Sequence, residues 1–90
     1  MIESTSVETE RLVRLERIRD IAAEVFSVGP DAVEAAGSFA TDLETDSLLA
    51  VDFLCELEKH FALEIDTETI PQLMSGLQAA YDVVAATAGW

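Results

Sequence analysis

The chain has 90 residues, half of them hydrophobic and 26% charged, and its 18 acids against five bases give a formal net charge of -13. That length holds one small domain with a modest core, so a pocket enclosing two substrates and a catalytic set is disfavoured against binding, carrying or adaptor roles. The negative field repels nucleic acid and anionic membrane and favours protein partners with basic patches, met through electrostatic steering.

The hydrophobic content argues for a folded domain and against disorder. Charge is unevenly placed: Arg11, Arg14, Arg17 and Arg19 supply four of the bases, whereas from Asp20 onward fourteen of the acids face Lys59 alone. High net charge also serves plain solubility. A lone cysteine, Cys55, excludes an internal disulfide framework and a cysteine-built metal site. The opening "MIESTSVETE" lacks the basic start and apolar core of a secretory signal, and no apolar run approaches the roughly 20 residues of a membrane span. A cytoplasmic monomer is the simplest expectation.

In chain order, residues 1–7 read as a flexible tail. A first helix follows, in which Leu12, Leu15, Ile18, Ala22, Val25 and Phe26 recur at helical spacing while arginines and acids take the other side. "SVGPDAVEAAGSF" breaks the pattern with Gly29, Pro30 and Gly37, predicting a long ordered loop with one helical turn at "DAVEAA". A second helix is expected from Asp46 or Ser47 to about Phe61. "LEIDTETIPQLMSG" is too interrupted for a long helix, although Pro71 suits the first turn of a brief one. The last helix is expected from Ser75, where S-G-L-Q matches a capping box, through Leu77, Ala80, Tyr81 and Val84, with a short tail over 87–90. The reading is all-α: three longer helices and a short one between the second and the last, a four-helix bundle in one domain over 8–86.

The second helix carries two apolar stripes. At about 100° per residue, Ala50, Phe53, Leu54, Leu57 and Phe61 share one arc, the core side. Leu48, Val51 and Cys55 fall nearly opposite, interleaved with Asp52 and Lys59 and flanked by Leu49 and Glu56. Apolar side chains rimmed by acids are what a docking surface for a basic and partly apolar partner requires. Scattered surface leucines are ordinary, so a bland reading stands beside it.

At the head of that helix lies "DLETDS". Ser47 could cap the helix by accepting a first-turn N–H, a job Asp46 could also do. As a hydrolase nucleophile it lacks the G-x-S-x-G elbow, and His60, the only histidine, lies thirteen positions along the same helix, where a surface or core-edge role fits better than a base. Asp42, Glu44 and Asp46 match the first three ligand positions of a calcium loop, but Ser47 stands where its glycine belongs and Phe53 where its bidentate glutamate belongs. No dedicated metal site is expected, beyond weak cation binding to the acids. The fourth possibility is an attachment point.

"DLETDSL", then "LAVDFLCELEKHFALEI", then "SGLQAAYDVV" together resemble the acyl carrier proteins over about residues 10 to 86. The resemblance implies that Ser47, with Asp46 and Leu48 beside it, is the "DSL" serine esterified through phosphate to 4'-phosphopantetheine from coenzyme A. It also implies a non-catalytic protein whose chemistry belongs to the terminal thiol of that arm, which holds acyl groups as thioesters; Cys55 is not that thiol. The family's docking surface maps onto Glu44, Asp46, Leu48, Leu49, Val51, Asp52, Cys55, Glu56, Glu58 and Lys59. The implied partners are a phosphopantetheinyl transferase and an acyltransferase, ketosynthase or acyl-activating ligase with basic and apolar patches.

Three positions depart from the family pattern. Glu44 replaces a common glycine, Leu49 an acid that often follows "DSL", and Lys59 another frequent acid. A more apolar docking surface points to a specialised partner set, as in a discrete carrier of polyketide or other secondary metabolism. The rival readings are an aminoacyl or peptidyl carrier and an unmodified acidic helical adaptor.

Overall fold

The computed structural model describes the backbone of residues 2–90 and the side chains of residues 8–90. Helix α1 spans Ile2–Phe26, and two short helices, α2 over Pro30–Ala35 and α3 over Phe39–Asp42, lead to the next long helix, α4 over Ser47–Phe61. A single 3₁₀ turn, Thr67–Thr69, runs into α5, Ile70–Leu73, and α6 closes the fold over Leu77–Ala88. The three longer helices and the short α5 are the expected bundle; α2 is the expected turn at "DAVEAA", and α3 is an additional one.

The long helices stop for local reasons. After α1, Ser27 turns left-handed (φ 57°), its N–H reaching Glu24 O at 3.3 Å and that of Val28 reaching Ala23 O at 3.0 Å, a Schellman stop. Ala62 (φ 54°) ends α4 the same way, with Leu63 N–H on Glu58 O at 3.1 Å. Pro71 sits in the first turn of α5, as its fixed φ and missing N–H allow.

Helix α1 packs on α2, α4 and α6. Ile18, Val33, Phe39, Phe53, Leu57, Leu73 and Val84 are completely enclosed, and the rings of Phe26, Phe39 and Phe53 meet one another with centroids 5.2–5.9 Å apart. The tilted and edge-on ring geometries are those that aromatic quadrupoles favour. Core-side expectations for α4 hold at Ala50, Phe53, Leu54 and Leu57, while Phe61 is half-buried against Trp90 at 5.4 Å.

Four expectations are corrected. Leu12, assigned to the buried stripe of α1, is 58% exposed. At 1.5 Å per residue the 25 residues of α1 outrun the 15 of α4 and 12 of α6, so its first turns have less helix facing them. The boundary of the expected tail at 1–7 moves too: the backbone from Ile2 already belongs to α1, since no glycine or proline interrupts the chain before Gly29, while Met1 and the side chains of 1–7 lie outside the described residues. At the other end α6 runs on to Ala88. Gly89 (φ 77°) then turns the chain so that Trp90 lies against Phe61 and Tyr81, with the Arg14 guanidinium 4.3 Å from its ring centre.

The fourth correction concerns the capping box. The cap of α6 is Gly76, and the Ser75 hydroxyl instead donates to Pro71 O at 2.8 Å. Gly76 is buried at φ 127°, ψ 175°, and a Cβ there would stand 3.1 Å from Gly37 O. Only glycine supplies that backbone in that space.

Helix α4 must therefore lose stability unequally when trimmed on its two sides. Leu57→Ala should cost about 2–5 kcal/mol and Val51→Ala less than about 1 kcal/mol, as read from denaturant unfolding; equal losses would contradict the packing described.

Candidate functional site

The approach to Ser47 is built by side chains that bond to backbone. The Ser38 hydroxyl caps α3 by accepting Thr41 N–H at 3.3 Å. The Asp42 carboxylate bends back to accept Gly37 N–H at 2.7 Å and Ser38 N–H at 3.1 Å. Phe39 N–H donates to Met74 O at 2.9 Å, tying this loop to the end of α5. The half-buried Thr45 hydroxyl donates to Phe39 O at 3.0 Å. Between these ties Glu44 stands left-handed at φ 51°, a conformation costing a non-glycine residue about 1–2 kcal/mol. Such a backbone is one that glycine adopts without strain, and this chain meets it with a glutamate.

At the head of α4 the cap is Asp46, whose Oδ1 accepts Leu49 N–H at 3.0 Å and whose carbonyl accepts Ala50 N–H at 3.0 Å. Ser47 is the first helical residue, exposed, and its hydroxyl has no hydrogen-bond partner among the described residues. The capping explanation for Ser47 is thereby removed. Of the first-turn donors that an α-helix leaves unsatisfied, those of Ser47 and Leu48 remain.

The outward stripe is real but narrower than expected. Leu48 is 70% and Val51 45% exposed, with Asp52 and Cys55 open beside them. Leu49 is half-buried and packed against the core, so it is no free anchor. Glu58 is half-buried and accepts Ile65 N–H at 2.8 Å, stapling the loop after α4. Glu56 is shared with Lys59 at 3.2 Å and lies 4.0 Å from His60 Nε2. Next to this stripe a shallow groove between α1 and α4 is lined by Ile21, Glu24, Val25, Asp52 and Cys55. His60 is exposed at the rim, far along the helix from Ser47, as a surface residue.

The acids of the calcium-like loop do not converge on a cation: Asp42 and Asp46 are committed to backbone N–H groups, and no group of three or more metal-ligating side chains occurs among the described residues. Sequence reasoning overlooked Phe39 and Thr45, because neither the burial of one nor the bond of the other has any periodic or motif signal.

A family model described as the phosphopantetheine attachment site matches residues 16–83. The chain belongs to the acyl carrier protein family. It is 41% identical over 59 residues to the acyl carrier protein of Thermosynechococcus vestitus, spanning 66% of this chain and 73% of that one. To the acyl carrier protein of Campylobacter hominis it is 38% identical over 60 residues, 67% and 76% of the two chains. A chain in the solved structure described as the ishigamide ketosynthase/chain length factor superposes with a TM-score of 0.70 at 38% identity, over 86% of this chain and 96% of that one.

An acyl carrier is a non-catalytic protein that holds acyl intermediates as thioesters on phosphopantetheine, which fits a small helical domain in which the N-terminus of α4 presents the exposed Ser47 hydroxyl. No helix among the described residues is long and apolar enough to cross a membrane.

The division of work between neighbouring residues is measurable in the unmodified carrier. Asp46→Ala should lose about 1 kcal/mol by uncapping α4, whereas Ser47→Ala should stay within about 0.5 kcal/mol of the parent; thermal unfolding of the two variants checks this.

Proposed function

We propose that Ser47 is the residue to which 4'-phosphopantetheine is attached, and that the carrier delivers acyl intermediates to a ketosynthase in polyketide-type synthesis. The single observation that carries the attachment is the unused, exposed Ser47 hydroxyl immediately beside an Asp46 that already caps the helix. A phosphodiester on that oxygen would sit at the positive end of the α4 dipole, near the unsatisfied N–H groups of Ser47 and Leu48. Bound there, the arm supplies the thiol on which acyl groups are held. Asp46 and Leu48 flank the point of attachment, and the exposed position lets a phosphopantetheinyl transferase reach it.

Ketosynthase partnership is supported by the structural neighbour. This 90-residue chain covers 96% of the matched chain, so that chain is a carrier-sized component of a structure described as a ketosynthase/chain length factor. The surface offered to such a partner is Leu48, Val51 and Cys55, with Asp52 and the Glu56–Lys59 pair at its edge and Glu44 on the loop. Leu49, half-buried against the core, and Glu58, half-buried and bonded to Ile65 N–H, are less open to such a partner than Leu48.

Incubation with coenzyme A, magnesium and a broad-specificity transferase should add one phosphopantetheine per chain, read by intact mass. Ser47→Ala should abolish the addition while keeping helical content. An unmodified parent chain, or a modified Ser47→Ala, would overturn the assignment.

Charge and apolar area should fail differently in docking. Asp52→Lys should slow association with a ketosynthase/chain length factor partner and flatten its salt dependence, because rim charges act on encounter. Leu48→Ala should mainly speed dissociation, by about tenfold, since packed anchors govern lifetime. Binding kinetics at two ionic strengths separate the two effects.

A further inference from the structure

The hydroxyl of Thr45 has a use that the carrier fold does not demand. It is half-buried and donates to Phe39 O at 3.0 Å, the same carbonyl that receives Leu43 N–H at 3.3 Å. Phe39 cannot move freely: its ring is wholly enclosed between Phe26 and Phe53, and its own N–H is held by Met74 O at 2.9 Å. Thr45 therefore clips the loop to a point fixed in the core. Two residues further on stands Ser47, with only the capping Asp46 between them.

The need for a clip comes from Glu44. A glutamate at φ 51° prefers other backbone wells, so the turn between α3 and α4 would relax if nothing held it. Leu43 N–H holds the near side of that turn and Thr45 Oγ1 the far side. Without the Thr45 bond, the far side is retained by the cap and by the packing of Leu49 and Ala50, and the chain from Glu44 to Ser47 loses its tie to Phe39. The first helical residue lies at the end of that stretch.

We propose that Thr45 is a positioning residue, whose bond to Phe39 O sets the presentation of Ser47 Oγ for receipt of phosphopantetheine. This rests on the assignment of Ser47 as the attachment residue. In the transfer, Ser47 Oγ forms a bond to the phosphorus of coenzyme A that bears pantetheine. The bond from that phosphorus to the adenosine bisphosphate leaving group breaks, and the hydroxyl proton passes to a base on the transferase. In-line attack of this kind is sensitive to small misplacements of the nucleophile. Docking, in contrast, rests mainly on Leu48, Val51 and Cys55 of α4, to none of which Thr45 is hydrogen-bonded.

The test uses the full chain in its unmodified form, coenzyme A, and a phosphopantetheinyl transferase, with initial rates read by intact mass across carrier concentrations. Thr45→Val keeps the shape and removes the hydroxyl. It should lower kcat by about fivefold, the size of effect one hydrogen bond supplies, with KM within about twofold because docking is untouched. Thr45→Ser restores the hydroxyl and should restore kcat. Hydrogen exchange supplies a readout independent of catalysis: the amides of Leu49 and Ala50, which bond to Asp46 at the head of α4, should exchange faster in Thr45→Val, and those of α6 at the parental rate. Equal kcat in parent and Thr45→Val overturns the proposal, as does a loss confined to KM, or a Thr45→Ser chain no better than Thr45→Val. If Ser47→Ala is still modified, or the parent takes up nothing, the attachment assignment fails as well; parent and Thr45→Val modified at Ser47 equally fast removes only the role of Thr45.

Discussion

The immobility of Phe39 is the constraint on which the functional end of this molecule depends. Its ring fills the space between Phe26 on α1 and Phe53 on α4, at 5.4 and 5.9 Å. Its backbone serves three neighbours: Met74 through the N–H, Leu43 and Thr45 through the carbonyl. A residue pinned by an enclosed side chain makes a rigid post for polar groups, because shifting the post means opening a close-packed interior. The loop before Ser47 is thus referred to the core and not merely to itself. Gly76 completes the arrangement by letting the chain after α5 approach Gly37 O where a side chain would not fit.

The acids do two kinds of work. Asp42, Asp46, Glu58 and Asp66 each accept a backbone N–H, fixing respectively the loop before α3, the head of α4, the loop after α4 and the 3₁₀ turn. They are charged and directional, so they shape the backbone that carries the site. Asp52 and Glu44 are exposed and make no such bond, which leaves them to project the field that a basic partner meets. A net charge of -13 therefore overstates the carboxylates available for contact, although all of them contribute to steering at a distance.

The arginines of α1 account for the uneven charge in the sequence. Arg19 bridges to Glu34 on α2 at 3.0 Å and to Asp20 at 2.9 Å, and those bonds, Glu34 first, hold its guanidinium above its ordinary pKa. Arg14 lies over Trp90 and Arg11 over Tyr81, at 4.3 and 5.7 Å from the ring centres. These contacts join α1 to α2 and to α6 with its following Trp90. Exposed pairs of this sort contribute little energy singly.

From the sequence alone came the helical class, the extent of α4, its inward arc and the serine at its head, because each has a local cause. Apolar spacing reports a helix face, Gly29–Pro30 reports a break, and "DSL" after an acidic stretch matches a family pattern. What the tertiary structure decided is which of several chemically able groups takes each part. Asp46 and not Ser47 caps α4, Gly76 and not Ser75 heads α6, Glu58 staples a loop, and Leu49 packs inward while Leu48 stays out. Thr45 finds Phe39 O six residues back only because α3 forms and turns the chain. Such choices depend on where distant backbone groups arrive in space, and neither the period of a helix nor the spacing of a motif records that.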